Sequence, residues 1–298
     1  MKDLIKKLLE EGPVVTDGAW GTELFRRGLP RGSCPESWNL EHPDRVAEVP
    51  AQYVAAGSRV VLTNTFGGNR FILEKHGLAD KVREINTTGV TISRQAAGDR
   101  AFVFASIGPS GKMVLMKQVT AGELENAFAE QAEALAAAGA DALVIETMID
   151  LTETLAATAA AKRTGLPVVA NMVFDAGKNK DRTMMGDTPE EVVEKLSAAG
   201  VDVIGSNCGK GIEGFAPICR RMRAVTDLPL WMKANAGIPE IIGGEAVYRT
   251  TPEEFAAFVP ELAEAGANFI GGCCGTTPAF IAAIKKKLRA DKADPVIG

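Results

Sequence analysis

Phe269-Ile-Gly-Gly-Cys-Cys-Gly-Thr-Thr-Pro278 carries an apolar run into two adjacent thiols and then into a helix start. Gly on either side of the thiols permits a sharp bend, and Pro278 has the fixed φ that suits a first helical position. The stretch therefore reads as the end of a buried strand, a turn bearing chemistry, and the helix that follows. The same order recurs in Val203-Ile-Gly-Ser-Asn-Cys208, where another strand-length apolar run ends in a thiol.

Working outward, apolar runs of strand length occupy residues 13–17, 59–63, 101–107, 142–146, 167–173, 201–206, 229–233 and 267–271. Each is bounded by Gly, Pro, Asn or Asp. Their near-continuous apolar character suits parallel strands covered on both faces, and the Ala-rich or amphipathic segments between them suit helical crossovers. Thr120 with Glu123, Thr188-Pro-Glu-Glu191 and Thr251-Pro-Glu-Glu254 have the spacing of capping boxes at helix starts. Eight alternations predict an α/β chain folded as a single (β/α)8 TIM barrel in preference to a doubly wound sheet. One domain is expected over residues 1–298, with a short polar C-terminal tail from residue 285 that frays. The Gly-rich segment 237–244 is expected to fold over a pocket.

With 298 residues, 46% hydrophobic and 24% charged, the chain can bury a large core. A net charge of −5 argues against the concentrated basic face that nucleic acid requires, so a small-molecule substrate is expected. No apolar run approaches the ~18 residues of a membrane helix, and the amino terminus interleaves charge with Leu and Ile. Five cysteines, an odd number without a regular framework, fit a reducing cytoplasm.

Active sites of such barrels lie at the carboxyl ends of the strands. Asp17-Gly18, Asn64-Thr65, Gly108-Pro109, Glu146-Thr147, Asn207-Cys208, Asn235 and Cys273-Cys274 all follow their runs. Chance placement would scatter them over both ends. Each also has a plain structural reading: Asp17 as a turn former, Glu146 as a helix cap, the asparagines as partners of loop backbone. His42 and His76, the only histidines, fall in predicted surface segments, which argues against a histidine metal site or triad. Cys34 and Cys219 read as small buried apolar residues.

Cys208, Cys273 and Cys274 are the candidate ligands of a zinc ion. An adjacent pair lacks the usual spacing of structural zinc sites, so geometry carries the reading. The sixth and eighth strands of a closed barrel are separated by one strand, about 10 Å at ~4.8 Å spacing. Thiols pointing across the mouth meet if Cys274 has already left its strand. Three thiolates leave one position open and make an electron-rich centre. It suits a bound thiol, lowering its pKa from about 8.5 while leaving the sulfur able to attack a methyl group.

Asp17-Gly-Ala-Trp-Gly-Thr22, Thr63-Asn-Thr-Phe66, Ser106-Ile-Gly-Pro109, Glu146-Thr147, Ser206-Asn-Cys208, Asn235-Ala-Gly237 and the Gly-Gly-Cys-Cys-Gly segment together resemble the homocysteine S-methyltransferase family. With Glu36-Ser-Trp-Asn-Leu40, the chain is most similar to the homocysteine-binding modules of cobalamin-dependent methionine synthases. The resemblance implies a zinc-dependent barrel enzyme that methylates homocysteine to methionine, with Cys208, Cys273 and Cys274 on the metal. It implies that Asp17 and Glu146 hold the substrate's ammonium, that Ser106 and the Gly18 backbone meet its carboxylate, and that Asn235 stands at the rim of the zinc site; Asn207 and Asn235 are both expected among the substrate-binding residues. Nothing in the sequence has the length or motifs of a folate- or cobalamin-binding module. The methyl donor is therefore expected on another molecule: a methyl-corrinoid (methylcobalamin or a relative) on a separate protein, with betaine or S-methylmethionine as the alternative. Ser206, where a commoner apolar residue stands in the family, and Lys210 leave open another small thiol acceptor; a non-catalytic subunit that binds homocysteine and zinc is a separate alternative.

Overall fold

The computed structural model describes residues 2–243 and 245–293. The strands in chain order are β1 (Val14–Val15), β2 (Val60–Val61), β3 (Phe102–Ile107), β4 (Ala142–Met148), β5 (Val168–Met172), β6 (Val203–Cys208), β7 (Leu230–Ala234), β8 (Glu240–Ile242), β9 (Glu245–Val247) and β10 (Ala267–Gly272). All but β8 and β9 form one sheet in the order β1-β10-β7-β6-β5-β4-β3-β2. Every neighbouring pair in it is parallel. Its two ends meet where Arg59 N donates to Val15 O at 2.8 Å and Leu62 N donates to Asp17 Oδ2 at 2.7 Å. The result is the predicted (β/α)8 barrel, and each predicted run supplies one of its strands. A side chain, that of Asp17, provides part of the closure.

Alternation along the strands sorts the interior from the helical shell. Phe104, Val144, Val203, Trp231 and Phe269 point inward, and Ile5 and Leu8 of the helix Asp3–Leu9 pack against the same cluster. Trp231 stacks on Phe269 and Phe104 at centroid distances of 5.2 and 6.1 Å, contacts worth about 0.5–1.5 kcal/mol each beyond their buried area. Small residues keep the barrel tight: a Cβ on Gly205 would lie 1.9 Å from the Trp231 carbonyl oxygen. Continuing the inward parity toward the carboxyl ends leads to Ser106, Glu146, Asn207, Lys233 and Cys273. The chemistry thus sits directly on top of the aromatic core.

All three predicted capping boxes form, at Thr120, Thr188 and Thr251. The helix Pro278–Ala293 runs through most of the tail expected to fray from residue 285, and residues 294–298 lie outside the described residues. The segment 237–244 contributes β8 to an antiparallel hairpin whose other strand, β9, follows it, with Gly244 outside the described residues. Just beyond it, Tyr248 packs on the turn after Cys274, so close that a Cβ on Gly275 would lie 2.3 Å from its ring. Cys34 and Cys219 are buried, and His42 and His76 are exposed, as expected. Among the described residues, no helix is long and apolar enough to cross a membrane.

Candidate functional site

Three thiols converge at the mouth of the barrel. Cys208 Sγ lies 3.1 Å from Cys273 Sγ and 4.0 Å from Cys274 Sγ, and all three lie within 4.8 Å of one another. They arrive by different routes. Cys273, the first residue past β10, continues the inward parity of Phe269 and Gly271, whereas Cys274 lies in the turn beyond it, off the strand as its expected role requires. Cys208 follows an inward-facing residue and should point outward, but its φ of 64° turns the chain there. A left-handed residue other than glycine costs about 1–2 kcal/mol, which surrounding contacts must offset.

Those contacts centre on Asn207. Its Oδ1 accepts the backbone N–H of Thr147 at 2.7 Å and its Nδ2 donates to Thr147 Oγ1 at 2.8 Å. Thr147 is itself left-handed, with φ 62°, and follows Glu146 at a shift of register between β4 and β5. The Cys-Cys turn is held as firmly: Cys273 N donates to Ala234 O at 2.7 Å, Ala236 N to Cys274 O at 2.9 Å and Thr276 Oγ1 to Cys273 O at 2.7 Å. Asn235 Nδ2 donates to Gly209 O at 2.6 Å, while its Oδ1 is buried without a hydrogen-bond partner among the described residues.

The donor set fits zinc. Thiolates at ~2.3 Å from a tetrahedral ion stand about 3.8 Å apart, and the separations of Cys208 Sγ from its two partners bracket that value. Three half-buried thiols in contact titrate as one unit. Hydrogen bonds from Cys208 and Cys273 hold the Cys274 thiol down to about 3, and the same contacts together with burial drive Cys208 well above its ordinary range.

Beside the thiols lies a cavity of about 210 Å³, whose walls include Gly18, Ser106, Glu146, Lys233, Cys273 and Cys274. This is below the ~300–1,000 Å³ of pockets for drug-sized ligands and suits a small metabolite. Glu146 is buried and accepts the Ser106 hydroxyl at 2.5 Å. Burial raises its pKa to about 7, against the pull of the Lys233 ammonium and with a further push from Cys273.

Asp17, expected to hold the substrate's ammonium, makes internal contacts. It is absent from the cavity wall and fully buried, its oxygens engaged by Lys233 Nζ at 2.5 Å, Leu62 N at 2.7 Å and Trp20 Nε1 at 2.8 Å. Lys233 escaped the reading of the sequence, where it served only as the boundary of an apolar run. Its signal was a charged residue closing a strand at the functional end. Glu36, also on the cavity wall, was read only as part of a motif; its Oε1 accepts Gly67 N at 2.6 Å.

The profile of the homocysteine S-methyltransferase family matches residues 14–288. The chain is 31% identical over 293 residues to a methionine synthase of Mycobacterium tuberculosis, a match covering 92% of this chain and 24% of that protein. It is 30% identical over 298 residues to a methionine synthase of Mycobacterium leprae, covering 94% of this chain and 24% of that one. The chain thus spans about a quarter of the length of these curated relatives. The metallated homocysteine methyltransferase MmuM from Escherichia coli shares the fold, with a TM-score of 0.81 at 24% identity over 96% of this chain and 100% of that one. With the family profile running from β1 into the last helix, the chain belongs to the homocysteine S-methyltransferase family.

Proposed function

We propose that the protein is a zinc-dependent S-methyltransferase that converts homocysteine to methionine, taking the methyl group from a methyl-corrinoid carried by a separate protein. The observation that carries this reading is the meeting of Cys208, Cys273 and Cys274 beside a cavity of amino-acid size. Zinc held by these three thiolates supplies Lewis acidity that lowers the pKa of an acceptor thiol. The remaining work belongs to the chain itself. The buried walls exclude water, Glu146 faces the acceptor's ammonium, and the narrow mouth holds the sulfur in line with an incoming methyl group. A sulfur–carbon bond would form as the donor–methyl bond breaks with its electron pair left on the donor, and the thiol proton would pass to solvent as the acceptor binds.

The surface around the mouth supports delivery by a macromolecule. Leu115 and Met116 after β3, Met184 and Met185 after β5, and Ile238 and Ile241 around the start of the hairpin expose large apolar side chains. Apolar surface of this kind marks sites of protein association, which a small betaine or S-methylmethionine donor does not need. A site built on free thiols also calls for a reducing compartment, in keeping with a cytoplasmic location.

The test is metal analysis of protein purified under reducing conditions, followed by assay with a methyl-corrinoid protein, free methylcobalamin, betaine and S-methylmethionine. About one zinc per chain is expected, with methionine formed from the corrinoid donors. Cys273→Ser is expected to lose metal and turnover together. Full activity in zinc-free protein would falsify the proposal.

A further inference from the structure

We propose that Lys233 receives the carboxylate of the acceptor and thereby selects thiols that carry one. The inference rests on the homocysteine reading above and assigns a group within the same cavity. Lys233 stands on β7, between β6, which ends in Cys208, and β10, which leads into Cys273, and is 2% exposed on the cavity wall. An ammonium buried this deeply requires a counter-charge, which Asp17 Oδ1 provides at 2.5 Å. That contact uses one of its three N–H donors, and no second hydrogen-bond partner is found among the described residues.

Two of the other groups expected to meet substrate charge are already engaged, while Gly18 and Glu146 remain on the cavity wall. The oxygens of Asp17 bind Lys233, Leu62 and Trp20, and the Ser106 hydroxyl is donated to Glu146. The charged residues on the cavity wall are then two acids, Glu36 and Glu146, and one cation, Lys233. An amino acid entering this space finds an acid for its ammonium and Lys233 for its carboxylate. Asp17 acts through Lys233, as its positioning residue.

Calorimetry on zinc-loaded, reduced protein tests this with three thiols: homocysteine, 4-mercaptobutanoate, which lacks the ammonium, and 3-aminopropane-1-thiol, which lacks the carboxylate. Wild-type protein is expected to bind 4-mercaptobutanoate within about tenfold of homocysteine and the aminothiol about 100-fold more weakly. Lys233→Met is expected to weaken both carboxylates by about 10- to 100-fold and leave the aminothiol unchanged. Because that substitution leaves the Asp17 charge buried alone, Asp17→Asn/Lys233→Met is measured beside it, and the wild-type series needs no substitution. Equal binding of the aminothiol and 4-mercaptobutanoate, or a uniform loss for all three thiols in the double variant, overturns the assignment of Lys233 and leaves the homocysteine reading standing. Failure of loaded wild-type protein to bind homocysteine overturns that reading and this inference together.

Discussion

Asn207 clamps Thr147 through both ends of its amide, accepting the backbone N–H at 2.7 Å and donating to the hydroxyl at 2.8 Å. One left-handed residue, Thr147, follows Glu146, and another, Cys208, follows Asn207 itself. A single buried side chain thus ties the strand carrying Glu146 to the strand carrying Cys208.

Replacing Asn207 with Ala is expected to leave the Thr147 amide unpaired and to cost about 1–3 kcal/mol in urea unfolding. Zinc affinity is expected to fall about 10- to 100-fold, as when an outer-sphere partner of a metal ligand is lost. Unchanged affinity in a competition titration would show that Cys208 keeps its conformation without the clamp.

Asp17→Ala removes both the closure of the barrel at Leu62 and the counter-charge of Lys233. A loss of about 3–5 kcal/mol is expected, since an uncompensated buried charge remains. Thermal unfolding without substrate is the decisive measurement. A residue serving substrate alone would leave the midpoint in place and alter only binding.

The carboxyl of Glu36 has a pKa above its ordinary 4.5 because burial outweighs the hydrogen bond from Gly67 N. Between 4.5 and the higher folded value, the folded chain holds more protons than the unfolded one. This contribution to stability is therefore complete below 4.5 and is lost as pH rises through the folded value. Unfolding free energies measured across that range should fall in wild type relative to Glu36→Gln, which has no proton to lose. Parallel pH profiles for the two proteins would rule the linkage out.

Gly275 has φ 82° and lies beneath the Tyr248 ring. Gly275→Ala is expected to cost about 1–2 kcal/mol in backbone strain and about 1–3 kcal/mol in overpacking. Tyr248→Ala should relieve the second part, giving a favourable coupling in a double-mutant cycle followed by chemical denaturation. Additive losses would mean that the ring moves aside freely.

The barrel strands were readable because a parallel strand covered on both faces needs an unbroken apolar run, and the starts at Thr120, Thr188 and Thr251 because capping is settled within four residues. The thiols were readable as a trio because each ended such a run on the same side. The β8–β9 hairpin was not, since it is too short and exposed for burial to mark it. Lys233 was missed because its charge stood at the end of an apolar run, where only strand parity reveals that it points inward above Trp231.

The amino-acid order by itself determined the alternation of elements and the end of the barrel that carries the chemistry, since both follow from burial patterns and capping over short distances. Only the closed barrel decided which polar groups satisfy one another and which remain for a ligand. Asp17 and Lys233 are 216 residues apart, and their pairing depends on how the first and seventh barrel strands are staggered around the axis. No local pattern encodes that stagger; it follows from packing the whole interior at once.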